Sequence, residues 1–142
     1  VSSRWRSDYS TFVTCVVARA SEGANSGVLS SEFGGHIVKW SGVVAALELS
    51  HDYARGVRMK MPVSDRQICG GLTLSATHLF VGVDESTEES WNVVSEGDVV
   101  LFECTIPKSN GPFDGVKISI FEDDGEAYLE VTTEGGSFLG SA

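Results

Sequence analysis

Residues 37–49, IVKWSGVVAALEL, narrow the folds open to this chain more than any other segment. Val, Ile and Trp dominate its first half, and β-branched and ring side chains fit a pleated strand better than the crowded flank of a helix. Gly42 sits in the middle. A glycine inside a strand marks a bulge or a tight bend, as at the corner of a barrel. A long strand that bends at its centre can pair with different neighbours at its two ends, which points to a β-sheet that curls on itself.

The segments that follow keep to this theme. VRMKM (57–61) alternates strictly, with Val57, Met59 and Met61 on one face and Arg58 and Lys60 on the other, and Pro62 stops it. That period of two is the mark of a half-buried strand. HLFVGV (78–83) reads as a third strand with Leu79, Val81 and Val83 inward. A helix is expected over 86–97: Ser86 and Glu89 have capping-box spacing, Trp91 and Val94 lie three apart to face a core, and Gly97 ends the element. VVLFECTI (99–106) and VKISIF (116–121) are further strands, separated by the SNGP turn, and AYLEVT (127–132) follows the EDDGE turn.

Three strands, a short helix and then more strands, with the first strand long and interrupted by glycine, is the order of an OB-like Greek-key barrel of five or six strands. In that all-β fold a helix joins the third and fourth strands. The rival arrangement is a β-sandwich, in which 86–97 is a loop. The barrel reading makes Gly42 the bend of the first strand and Trp91 the plug of the barrel's base.

The whole chain, 1–142, reads as a single domain: an N-terminal extension over 1–35, an OB-like core over 36–132 and a flexible tail over 133–142. Within the extension, TFVTCVVA (11–18) is rich in β-branched residues and favours a strand, while Ser7, Asp8 and Ser10 offer helix caps; SEGANSG (21–27) reads as a loop. The sequence opens on Val1, as expected of a piece of a larger protein. No apolar run reaches the roughly 20 residues that a membrane-spanning helix needs.

Formal net charge is −10 over 142 residues, and it is unevenly placed: residues 1–75 sum to +2 and residues 76–142 to −12. An acidic surface repels phosphate backbones, so nucleic acid is disfavoured as a partner. The exception is a local basic cluster, Arg55, Arg58, Lys60 and Arg66. Three cysteines, Cys15, Cys69 and Cys104, form no CxxC pair, which removes zinc-knuckle and thioredoxin-type centres. Cys15 and Cys104 sit among β-branched residues as small buried hydrophobes do. One disulfide plus a free thiol also fits an oxidising compartment.

Trp5, Tyr9 and Cys15, followed by a glycine and then Val38-x-Trp40-x-Gly42-x-Val44, resemble the luminal C-terminal region of the wolframin family. Gly97-Asp98-Val99-Val100-Leu101-Phe102 is similar to a later strand of that region. The Trp–Tyr and Tyr–Cys spacings differ from the family's, and its cysteine-rich character is mostly missing. The resemblance implies an OB barrel with a non-enzymatic, interaction role in an extracytoplasmic or luminal setting.

Chemistry-bearing motifs are sparse. His36, His51 and His78 show neither HxxxH nor HExxH spacing, and no phosphate-binding glycine motif is present. A Cys–His pair such as Cys69 with His51 would suit a nucleophile and base, with Gly70 and Gly71 as a source of oxyanion-binding amides, but nothing in the sequence brings the two together. The carboxylates Glu122, Asp123, Asp124 and Glu126 around Gly125 lack the alternate spacing of a calcium loop and read as a hairpin turn. No catalytic residue, metal ligand or cofactor is assigned.

The most suggestive surface is the outward side of the first three strands. If Val57, Met59 and Met61 face inward, Arg58 and Lys60 face out, and alternation brings Lys39, His78 and Phe80 to the same side. The second and third strands of an OB barrel carry its usual ligand face. The expected function is therefore a non-catalytic binding module that engages a protein or an anionic ligand through Lys39, Arg58, Lys60, His78 and Phe80. A structural assembly protein is the alternative class, and a small Cys/His enzyme a third.

Overall fold

The strand at 37–49 is β1, Ile37–Glu48, and it changes partner at its middle. Ile37–Val43 pair antiparallel with β5 (Val99–Thr105), whereas Val43–Glu48 pair antiparallel with β2 (Gly56–Lys60). In this computed structural model the described residues are 4–49, 55–61, 67–68, 72–108, 118–123 and 126–142.

β2 pairs in turn with β4 (Leu72–Gly82), which lies parallel to the first half of β7 (Glu126–Ser141). The second half of β7 returns to β5, so the circuit β1–β2–β4–β7–β5–β1 closes. β3 (Gln67–Ile68) adds to β4, and β6 (Ile118–Asp123) adds to β7. Taken alone, the five barrel strands run first–second–third–fifth–fourth, and the third and fifth are parallel. A helical segment joins the third to the fourth. That topology is the OB fold. The sheet is one closed layer and not two stacked ones.

The inward faces are those that alternation requires. Val38, Trp40 and Val44 of β1, Val57 and Met59 of β2, Leu79 and Val81 of β4, and Val100, Phe102 and Cys104 of β5 are all buried. Met61 and Val83, just past β2 and β4, are buried too. Gly42 is needed for a reason other than a bulge. A Cβ there would lie 2.6 Å from Sδ of Met61, which fills the inner face beside it. The bulge falls at Ala45, between the pairs Val44↔Met59 and Ala46↔Arg58.

The helix expected over 86–97 is a 3-10 helix, Glu88–Val93, and Ser86 and Glu89 do not cap it. The Asp84 carboxylate does the local work instead. Its Oδ1 accepts from the Thr87 backbone N–H at 3.0 Å and from the Ser86 hydroxyl at 2.6 Å. Short polar side chains compete for nearby backbone donors in this way, and here the earlier Asp wins. Trp91 is 1% exposed and stoppers this end of the barrel. Its indole N–H donates to the Gly136 carbonyl at 3.1 Å.

Three further expectations are corrected. Residues 11–18, open between strand and helix, form the body of α1 (Tyr9–Ser21), against their strand-favouring composition, and α2 (Ser26–Phe33) begins inside the expected loop at 21–27. Tyr9, Phe12, Val13 and Val16 recur at helical spacing and are all buried, so the period of the apolar positions overrides their β-branched chemistry. α1 covers the end of the barrel away from Trp91. There Tyr9 meets Trp40 edge-on at 4.9 Å, and the Trp40 indole donates to the Trp5 carbonyl at 2.9 Å. The Asn25 side chain caps α2 by accepting from the Val28 N–H at 2.9 Å.

The second correction is the tail. Residues 134–141 are not mobile; they are the half of β7 that pairs with β5, from Thr105↔Glu134 to Val100↔Ser141. Gly135 takes φ +62°, and a Cβ on Gly136 would meet Val81 Cγ1 at 2.1 Å, so the glycines let β7 turn closely past β4. The third is the strand read over 78–83, which starts six residues earlier, at Leu72.

Candidate functional site

The outward face of β2 and β4 is built by register. Arg58 stands opposite Phe80, and Lys60 opposite His78. Arg58, Lys60 and His78 are exposed and Phe80 is half-buried. The Arg58 guanidinium lies 5.7 Å from the Phe80 ring centroid and donates through Nε to Glu48 Oε1 at 2.9 Å. A cation over a ring face, tied at its edge by a carboxylate, is held in one orientation.

Gly56 sets the position of the ring. A Cβ at Gly56 would stand 2.3 Å from Phe80 Cζ, so the ring lies directly over this glycine's backbone. Alternation does not reveal this contact; its signal is a glycine placed opposite Gly82, diagonal to an aromatic on the next strand.

On β7 the alternation of AYLEVT turns Tyr128, Glu130 and Thr132 outward, and the parallel pairing sets Glu130 beside His78 and Thr132 beside Phe80. A row Lys60–His78–Glu130 therefore runs across three strands, with cation, imidazole and carboxylate side by side. Glu48 and Glu130 are members of the site that the sequence reading did not name.

Lys39 does not join this group. It is outward-facing, but it lies on the half of β1 that pairs with β5, opposite Glu103, with Nζ 3.9 Å from Glu103 Oε2. Four residues of strand separate it from Val43, the partner of Lys60, which is about 13 Å along the chain. The five expected residues thus divide into a cluster of four and one outlier.

Cys104 is 1% exposed, and burial pushes its thiol up to about 12, so it is protonated and shielded at neutral pH. Cys15 and Cys104 are both free thiols. His36 packs edge-on against Trp5 at 5.3 Å, and desolvation, then the Arg6 charge, lowers its pKa. The backbone ladder of β6 and β7 ends at Asp123↔Glu126, and Tyr128 donates its hydroxyl to Glu126 at 2.9 Å. Cys69, Gly70, Gly71, His51, Arg66 and Asp124 lie outside the described residues. Among the described residues no group of three His, Cys, Asp or Glu side chains is gathered for a metal ion, and no helix is long and apolar enough to cross a membrane.

No protein-family model and no curated protein sequence matches the chain. Among solved structures, the chain is similar to the mitochondrial single-stranded DNA-binding protein Rim1 of S. cerevisiae at 14% identity and a TM-score of 0.39, covering 75% of this chain and 97% of that one. It is also similar to the OBody AM3L09 bound to hen egg-white lysozyme, at 20% identity and a TM-score of 0.35, over 84% of this chain and 95% of that one.

Proposed function

We propose that this chain is a non-catalytic OB-type binding module whose partner is an acidic protein segment laid across β2 and β4. The observation that carries this reading is the stacking of two cross-strand pairs, Arg58–Phe80 and Lys60–His78, on one outward face. Phe80 offers an apolar surface, and the three nitrogen-bearing side chains offer donors for a carboxylate. Glu48 and Glu130 border the cluster and favour a segment with spaced negative charges over a uniform polyanion. The net charge of −10 acts in the same sense against a phosphodiester chain. The wolframin likeness adds an extracytoplasmic setting to the proposal. Its residues Trp5, Tyr9, Trp40 and Gly42 are all buried, so that likeness bears on the scaffold and the partner is argued from the surface.

Amide chemical-shift mapping of the labelled protein tests the proposal, with a glutamate-rich peptide and an oligothymidylate as parallel probes. The peptide is expected to move Arg58, Lys60, His78 and Phe80 and to leave Lys39 in place, and the charge reversals Arg58→Glu and Lys60→Glu abolish the response. Tighter binding of the oligonucleotide, or shifts centred elsewhere, would overturn it.

A further inference from the structure

The remaining outward face, on β1 and β5, has a different chemistry. Its rows are Ile37↔Thr105, Lys39↔Glu103, Ser41↔Leu101 and Val43↔Val99. Ile37 is 60% exposed and Val99 50%, and Leu139 on the adjoining half of β7 is 46% exposed. These are three of the five large apolar side chains left exposed among the described residues. The charges on the β1 and β5 rows are Lys39 and Glu103, opposite in sign and side by side.

That pattern is its own complement. Consider a two-fold axis running along the strands, midway between β1 and β5. It carries each β1 position onto the β5 position of the same row. Lys39 then faces Glu103 of a second copy, Glu103 faces its Lys39, and Val43 faces its Val99. The four charges form an alternating square, and the apolar Val43–Val99 row meets its own copy. Sheets packed in this aligned manner sit about 10 Å apart, a gap that Lys and Glu side chains can span. A C2 interface requires a self-complementary patch of this kind. The β2–β4 face, with three basic groups together, lacks it.

From this arrangement we infer that the β1–β5 face binds a second copy of the chain, forming a two-fold dimer through Val43, Val99 and Leu101 flanked by Lys39 and Glu103. The inference is argued from the β1 and β5 rows alone and does not rest on the binding proposal, although the two surfaces adjoin where Val43 pairs with Lys60.

Sedimentation equilibrium at physiological salt tests it, with near-ultraviolet circular dichroism as the check on folding. The wild type is expected to show a monomer–dimer equilibrium with no larger species. Val99→Glu, at an already exposed position, abolishes the dimer while the spectrum is retained. Lys39→Glu sets four carboxylates against one another and weakens association by about tenfold or more. The double variant Lys39→Glu/Glu103→Lys rebuilds the alternating square and restores it. A wild type that stays monomeric at millimolar concentration would overturn the inference. So would open-ended polymers, or a dimer indifferent to Val99 and to the charge swap.

Discussion

The indole N–H of Trp91 donates to the backbone carbonyl of Gly136 at 3.1 Å, joining the segment between β4 and β5 to the turning point of β7. The same side chain packs against Phe138 with ring centroids 5.9 Å apart. One residue therefore fills the barrel end and satisfies a buried acceptor. Trp91→Ala is expected to cost about 3–5 kcal/mol in urea unfolding, from the cavity it leaves. Trp91→Phe keeps most of the volume but orphans the carbonyl, a loss of about 1–3 kcal/mol. Equal stability of wild type and Trp91→Phe would show that the hydrogen bond contributes nothing.

Gly56 controls the proposed binding face without belonging to it. A methyl group there falls 2.3 Å from Phe80 Cζ and 2.7 Å from the Val81 carbonyl. Gly56→Ala is expected to push the ring off its seat and away from Arg58, at a cost of about 1–3 kcal/mol. The check is the aromatic ring-current shift on the Arg58 side-chain protons, which should collapse toward its unstacked value. Phe80→Leu, which removes the ring but not the apolar volume, should abolish that shift with a smaller loss of stability.

The buried thiol gives a pH signature on the alkaline side. The Cys104 pKa rises from an ordinary 9.0 to about 12, with burial as the main cause. The unfolded chain therefore loses this proton first, and stability is complete below pH 9 and falls as pH rises toward 12. Burial raises the Tyr9 phenol in the same sense. Urea midpoints measured from neutral to alkaline pH should fall, and Cys104→Ala should flatten part of the slope. Alkylation of Cys104 by iodoacetamide at neutral pH should proceed only through unfolding; rapid labelling of the native protein would contradict its burial.

The glycine pair of β7 is as constrained as the core. A Cβ on Gly136 lies 2.1 Å from Val81 Cγ1 and 3.0 Å from the Gly82 carbonyl, with no slack in the backbone behind it. Gly136→Val should separate β7 from β4 and expose Trp91, seen as a red shift of tryptophan emission. Gly140→Ala, where no atom lies within 4 Å but φ is +151°, should cost less.

β1 was legible from its density of β-branched and ring side chains, and β2 from its strict alternation, which shows directly because that strand buries one face only. α1 was not. Its apolar positions are Tyr9, Phe12, Val13 and Val16, a helical series, but Thr11, Thr14 and Val17 between them weight the composition toward a strand. Tertiary contacts with Trp40 and Phe33 settle the matter, and no local propensity contains them. The end of β7 was read as mobile because its glycines look like a linker. Their need is set by Val81 and Gly82, more than fifty residues earlier in the chain, and only the closed barrel brings these together. For the site, alternation alone placed Arg58 and Lys60 outward and grouped them with His78 and Phe80. It also grouped Lys39 with them, because alternation says which side a residue faces and not which neighbour its half of the strand has.

β7 is paired with β4 along its first half and with β5 along its second, and it is synthesised after both of them. Until it leaves the ribosome, β4 and β5 each keep one edge unpaired and the barrel stays open between them, and the parallel β4–β7 contact cannot nucleate early. A nascent chain halted before residue 126 is thus an open ribbon with two unpaired edges, and the interval before β7 emerges is when this barrel is most exposed to misassembly.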